Sequence, residues 1–241
     1  MYTEAHRALL TYIRAVKVVS ADRLTAQFSL VAEQYSLQES LRDFLATINV
    51  RLERYGFKID STWDQDSGAA LYVFVNTRLD DVIQSCTPYS PPELDAIKEL
   101  IDTIVSAPGY IYACPMVNAR QQIASTLKRP ASDATYLLKQ LVDDGWVSFT
   151  SHNRVVLAPA ALAELRAYLE DRFGIFSTAD PQGKLLVCNV CRGLVTLGQK
   201  CITGDCPTSF HDRCMASYQR GGHGCPACGK SLEETQSVGE G

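Results

Sequence analysis

The chain has 241 residues, 46% hydrophobic and 21% charged, an ordinary globular composition that excludes a largely disordered protein and leaves room for two or three small domains. Its net charge of −4 argues against bulk electrostatic binding to nucleic acid: residues 1–175 carry 17 Lys+Arg against 21 Asp+Glu and residues 176–241 carry 6 against 6, so no basic domain is present. The longest apolar run, Ala69–Val75, falls far short of the ~18 residues a membrane span needs, and Met1–Leu10 lacks the apolar region of a signal peptide, so a soluble, non-secreted chain is expected.

Apolar residues recur at helical spacing from the start. Tyr2, Ala5, Leu9, Tyr12, Ile13 and Val16 make one stripe. Ser20 is placed to cap a second helix with Leu24, Phe28, Val31 and Ala32 inward, and a third runs from Leu37 to Tyr55, halted by Gly56. The period then changes to two: Phe57–Asp60 and Leu71–Val75 read as strands joined by a polar stretch with Asp64, Asp66 and Gly68. Three helices and a hairpin form the layout of a winged helix.

Tyr89-Ser90-Pro91-Pro92 breaks the chain, and much the same order returns. A helix opening at Pro92 buries Leu94, Ile97, Ile101 and Ile104, and Tyr110–Tyr112 reads as a short strand. Val117–Leu127 and Ser132–Val142 form a helix-turn-helix around Lys128-Arg129-Pro130-Ala131. Val147–Phe149 and Arg154–Leu157 make a hairpin, and a last helix runs from Pro159 to Arg172. The predicted fold is α+β: winged-helix domains over 1–88 and 89–175, a small zinc domain over 184–232, and a short tail over 233–241. Winged helices divide between DNA readers and protein-docking modules, so the fold alone does not choose.

Nine cysteines are present, seven of them between Cys188 and Cys228. In a reducing compartment such a cluster points to metal rather than disulfides. The ligand candidates are Cys188, Cys191, Cys201, Cys206, His211, Cys214, Cys225 and Cys228, four pairs that fill two tetrahedral Zn²⁺ sites with no position left for water. Both ions are therefore expected to be structural. The segment has few large apolar residues, and a structural zinc site adds an apparent ~10–16 kcal/mol, enough to decide folding. Sequential and interleaved pairings both satisfy the count. His223 reads as an exposed loop residue beside Gly221, Gly222 and Gly224, while Cys86 and Cys114 read as free thiols. No catalytic triad, paired carboxylates or phosphate-binding loop stands out.

The ligand order, ending in Cys225-Pro226-Ala227-Cys228, resembles a variant RING finger. A plant homeodomain finger shares the ligand roster, but it places an aromatic residue two positions before its seventh ligand, where this chain has His223, and the proline also favours RING. The RING resemblance implies a cross-brace, with Cys188, Cys191, His211 and Cys214 on one ion and Cys201, Cys206, Cys225 and Cys228 on the other.

Two winged helices leading into such a RING resemble the non-SMC element one family, the RING-like subunit of the SMC five/six chromosome-maintenance complex. The resemblance spans nearly the whole chain. It is carried by Phe44-x3-Ile48-Asn49-x2-Leu52 running into Phe57-x-Ile59, Val75-Asn76-Thr77 before Asp80-Asp81, Tyr89-Ser90-Pro91-x-Glu93-Leu94, Asp144-Gly145-Trp146 and the zinc spacing. It implies a nuclear, chromatin-associated protein acting in recombination-based DNA repair. The implied partners are a melanoma-antigen-like winged-helix subunit, a kleisin, the SMC five/six heterodimer through these, and a ubiquitin-conjugating enzyme docked at Val190 and Pro226. Many active RINGs carry Arg directly after the eighth ligand. Here Gly229 stands there and Lys230, lacking the planar five-donor fork, follows. Three functions compete: ubiquitin ligase subunit, zinc-stapled interaction module, and DNA-binding regulator. The third is disfavoured because the Ser132–Val142 helix offers one base, Lys139, against the nearby Asp133 and Asp143.

Overall fold

The computed structural model describes residues 2–77 and 88–240. It separates into two compact units.

The first comprises the described residues up to 77 together with 159–164. Its elements are α1 (Glu4–Val16), β1 (Val18–Ser20), α2 (Ala21–Tyr35), α3 (Leu41–Leu52), a 3-10 turn (Glu53–Tyr55), β2 (Phe57–Trp63) and β3 (Ala70–Asn76). Short polar residues set the helix starts: Ser20 Oγ accepts the Arg23 N–H at 3.3 Å and Ser40 Oγ the Asp43 N–H at 3.2 Å. The antiparallel sheet has the order β1-β3-β2, with β2 and β3 in register from Phe57↔Asn76 to Trp63↔Ala70. Leu9, Ile13, Leu24, Phe44 and Ile48 form the centre of the core. The helix α7 (Pro159–Glu164) adds Ala160 against Val73 and Val75.

The second unit comprises the described residues of 88–158 and 165–240. It repeats the order: α4 (Pro91–Val105), β4 (Cys114–Pro115), α5 (Met116–Leu127), α6 (Ala131–Asp143), β5 (Val147–Phe149) and β6 (Arg154–Leu157), with the sheet ordered β4-β6-β5. The helix–strand–helix–helix–strand–strand order of a winged helix thus occurs twice. After α8 (Arg166–Phe173), the cysteine-rich segment contributes β7 (Gly198–Cys201), β8 (Ser209–Phe210), α9 (Asp212–Gln219) and β9 (Thr235–Val238), in a sheet ordered β8-β7-β9.

Four expectations need correction. Tyr110–Tyr112 is not a strand: Pro108–Tyr110 is a 3-10 turn and Tyr110 and Tyr112 have φ of 60° and 48°, so pairing starts at Cys114. The helix from Pro159 to Arg172 is two helices, interrupted at Leu165 (φ −88°, ψ 4°), with no Pro or Gly to mark the break. The third helix begins at Leu41 and passes into the 3-10 turn after Leu52. Most consequentially, the tail contains β9, paired antiparallel with β7 from Gly198↔Val238 to Cys201↔Thr235. Only Val238 of its four residues is buried, so the sequence shows no apolar pattern there. Cys86 and Asp80-Asp81 lie outside the described residues.

The cysteine-rich segment and the preceding helix–sheet repeat are joined by specific contacts. Tyr112 Oη donates to the Lys184 carbonyl at 2.6 Å. Lys200 is only 1% exposed; its ammonium donates to the Gly204 carbonyl at 2.9 Å and lies 5.2 Å and 5.7 Å from the Phe176 and Tyr110 ring centroids. Beyond β9, the Gly239 N–H donates to the Tyr110 carbonyl at 2.8 Å. Gly239 has φ +79°, and a Cβ there would fall 2.1 Å from the Thr196 carbonyl oxygen, so glycine is required. Glu240 then reaches the β5–β6 hairpin, pairing with Arg154 Nε at 2.9 Å and His152 Nδ1 at 3.2 Å and accepting from Thr150 Oγ1 at 3.2 Å.

Candidate metal centre

Each ligand pair sits on a short, geometrically fixed piece of backbone. Cys188 and Cys191 flank a tight turn in which the Arg192 N–H donates to the Cys188 carbonyl at 3.0 Å and the Cys188 N–H to the Gly193 carbonyl at 2.9 Å. Cys201 ends β7, and Cys206 follows in the loop that Lys200 ties down through Gly204. His211 is the N-cap of α9 and Cys214 its third residue, a three-residue spacing that puts both on one face. Cys225 and Cys228 occupy a second tight turn, closed by the Gly229 N–H donating to the Cys225 carbonyl at 2.8 Å.

These pieces assemble two groups of donors. Cys188, Cys191, His211 and Cys214 form one, and Cys201, Cys206, Cys225 and Cys228 the other, with the ligand atoms of each group within 4.8 Å of one another. The grouping is interleaved along the chain. His223 belongs to neither group and packs against the Tyr218 ring at 5.7 Å. Cys114 is buried and free.

Spacing within the groups fits tetrahedral coordination. Two thiolates bound about 2.3 Å from one zinc ion lie about 3.8 Å apart. Cys201 and Cys228 sulfurs are separated by 3.7 Å and those of Cys206 and Cys225 by 3.4 Å, far longer than a disulfide bond. In the first group His211 Nδ1 lies 3.3 Å from the Cys191 sulfur and 4.0 Å from that of Cys214. His211 Nε2 is 2.9 Å from the Leu194 carbonyl, which can only accept, so Nε2 carries the proton and the Nδ1 lone pair faces the sulfurs.

Electrostatics points the same way. Burial pushes the Cys188 thiol up, but its close contact with the His211 side chain and hydrogen bonds from backbone N–H groups outweigh it and bring its pKa below the ordinary value. At Cys225, burial is likewise outweighed, by Thr208 and the N–H groups of Cys228 and Ala227. Cys214 and Cys206 are pushed up, first by burial and, for Cys214, next by the negative charge on Cys188. The three sulfurs of the first group, or the four of the second, cannot all ionise against one another without a cation among them. With all four donors spoken for in each group, no position remains for water or substrate.

Around the centres, Val190, 48% exposed between the first two ligands, and Pro226, exposed between the last two, are open to solvent. Ile202, exposed directly after Cys201, was missed by the sequence reading, since a lone aliphatic beside a ligand has no distinguishing pattern. Gly229 stands in the left-handed region at φ +72°.

A family model described as the Nse1 non-SMC component of the SMC5-6 complex matches residues 6–165. The chain belongs to that family. A second model, a RING-like domain, matches residues 188–228, from the first candidate ligand to the eighth. The non-structural maintenance of chromosomes element 1 of Schizosaccharomyces pombe is 28% identical over 211 residues, covering 85% of this chain and 83% of the relative. The Bos taurus homolog of element 1 is 26% identical over 237 residues, covering 94% and 83%. A chain of a solved Nse1-Nse3-Nse4 complex superposes with a TM-score of 0.80 over 97% of this chain and 98% of its own, at 19% identity, which establishes a shared fold.

Proposed function

We propose that this chain is the RING-type ubiquitin ligase subunit of an SMC5-6 complex, acting in the nucleus, on chromatin, in DNA repair by recombination. The observation that carries this reading is the junction of the family match over 6–165 with a RING-like end whose eight ligand candidates gather into two four-donor groups. On this reading the chain comprises winged helices over 1–88 and 89–175 and a RING over 184–232. The eight residues hold two Zn²⁺ ions, and that metal supplies folding rather than chemistry. The protein docks a melanoma-antigen-like winged-helix subunit and a kleisin, a reading supported by the fold it shares with a chain of the Nse1-Nse3-Nse4 complex, and touches DNA weakly or through its partners.

Such a RING forms no covalent bond to ubiquitin. It binds a charged conjugating enzyme and holds the thioester in a reactive orientation, which is catalysis by proximity. Val190 and Pro226 provide the apolar docking surface. A second reading, an interaction module without transfer activity, draws on Gly229: no guanidinium follows the eighth ligand, and the left-handed backbone there disfavours any side chain.

The deciding experiment follows ubiquitin discharge from a charged conjugating enzyme by the zinc-loaded full chain, alone and with the melanoma-antigen-like partner. Val190→Arg and Pro226→Asp should each abolish discharge while zinc content stays at two. Absence of discharge even with the partner present would favour the docking module, whereas discharge that ignores both substitutions would keep the ligase reading and remove Val190 and Pro226 from its docking surface.

A further inference from the structure

Apart from the metal centres, the second unit carries a groove on its helix-turn-helix, between α5 and the start of α6. Arg120, Lys128 and Arg129 line it, and no carboxylate does. All three bases are exposed, in a chain whose net charge is −4. Arg129 also feels Glu93, but that carboxylate is engaged by the Ser90 N–H and hydroxyl at 2.7 Å and 2.6 Å. The α6 N-cap is Pro130, which offers no side-chain cap, so the first turn adds the positive end of the helix dipole. Asp133 in that turn is held by Ser132 Oγ at 3.2 Å and does not line the groove.

The groove is not only basic. Val117 on its wall is 60% exposed, Pro130 and Ala131 form its rim, and Tyr136 is 65% exposed on the next stretch of α6. Solvent-facing apolar side chains beside three exposed cations complement a ligand that is both acidic and apolar.

We propose that this groove binds an acidic peptide segment of a partner protein, its carboxylates paired with Arg120, Lys128 and Arg129 and an aliphatic side chain set against Val117 and Pro130. The observations favour a peptide over a nucleic acid backbone for three reasons. Phosphates would leave Val117 and Tyr136 unmatched. The hairpin that flanks DNA in winged-helix readers has its bases occupied, since Arg154 and His152 both pair with Glu240. And α6 itself sets Lys139 against Asp133 and Asp143, too few bases for counterion release to supply strong binding.

The test pans a phage-displayed library of random peptides, about four helical turns long, against the zinc-loaded full chain. The chain carrying Arg120→Glu, Lys128→Glu and Arg129→Glu serves for counter-selection. These surface substitutions leave the core untouched, which circular dichroism and a zinc content equal to wild type verify. Enriched peptides should combine Asp or Glu with Leu or Ile. Their affinity should fall by about tenfold or more on triple charge reversal and severalfold on Val117→Ser, the latter without change in salt dependence. The proposal is overturned if nothing is enriched, if the selected peptides lack carboxylates or bind the triple variant equally, or if duplex DNA binds through the same three bases more tightly than the peptides do. The readout is independent of ubiquitin transfer, so it stands or falls apart from the ligase reading.

Discussion

Asn49, Tyr89 and Asp144, which look like mere pattern in the sequence, each do a definable job. Asn49 on α3 donates its amide to the Ile59 carbonyl at 2.9 Å and accepts the Ile59 N–H at 2.7 Å, satisfying the free side of the edge strand β2. The motif Ile48-Asn49 followed by Phe57-x-Ile59 therefore records a helix-to-strand clasp. Replacing Asn49 with Leu should cost about 2 kcal/mol, because two backbone groups lose their partners, as read by denaturant unfolding; an unchanged midpoint would refute the clasp. Tyr89 and Asp144 make a similar link across 55 positions, the phenol donating to the carboxylate at 2.6 Å. His6, off the apolar stripe read from the sequence, is buried and stacked on Phe44 with centroids 3.9 Å apart. Burial lowers its pKa below the usual 6.5, so the unfolded chain binds a proton more readily than the folded one. Stability of the first unit should be fully present above about pH 6.5 and decline as the pH falls below it. His6→Phe should flatten that decline in thermal melts taken across the range.

At the level of elements, most helices were legible, as was the short hairpin Val147–Phe149 with Arg154–Leu157, while short strands paired far along the chain were not. Long amphipathic stripes and the Ser20 cap announced α1, α2 and α5 with little error, because 3.6-residue periodicity accumulates over several turns. The strands β1, β4 and β9 have three, two and four residues and exist only through their partners β3, β6 and β7, so no local pattern could reveal them. The roster of eight ligand candidates was readable because spacing is itself the signal. β9 has the clearest consequence. It covers one edge of β7, the strand that delivers Cys201, buries Val238 and carries Glu240 to the hairpin. Val238→Ala should cost about 1.5–2 kcal/mol from lost apolar burial. The Cys201 N–H points away from β9, to the Thr208 carbonyl at 2.9 Å, so the alternate amides of Gly198 and Lys200 face β9. Deleting residues 235–241 should raise hydrogen exchange at Gly198 and Lys200 while native mass spectrometry still finds two zinc ions. Unaltered exchange at those amides would mean that the strand adds nothing to the sheet.

For the whole molecule, the division into units runs elsewhere than the sequence suggests. The zinc-ligand segment was expected as a separate domain, yet it clusters with the second winged helix, while α7, late in the sequence, clusters with the first unit. Composition carries no trace of this, since it depends on a few long-range contacts such as Tyr112 to Lys184 and the burial of Lys200. Those contacts make metal removal a graded perturbation. Metal held by the two donor groups would bind only their folded form, so on the proposed reading a strong chelator should unfold the region between Leu185 and Val238, whose own apolar content is small. Loss of β7 frees Lys200 from its carbonyl and two rings, so protection should also fall around Tyr110–Cys114, within the second winged helix. The first unit has its own core around Phe44 and Ile48 and should keep its protection. Most of the helical dichroism should survive, because of the described helices only α9 lies among the metal ligands. Peptide-resolved hydrogen exchange before and after chelation measures all three regions at once. Equal loss in the first unit would show a single cooperative molecule, and undiminished protection from Leu185 to Val238 would show that the eight ligand candidates hold no metal essential to the fold.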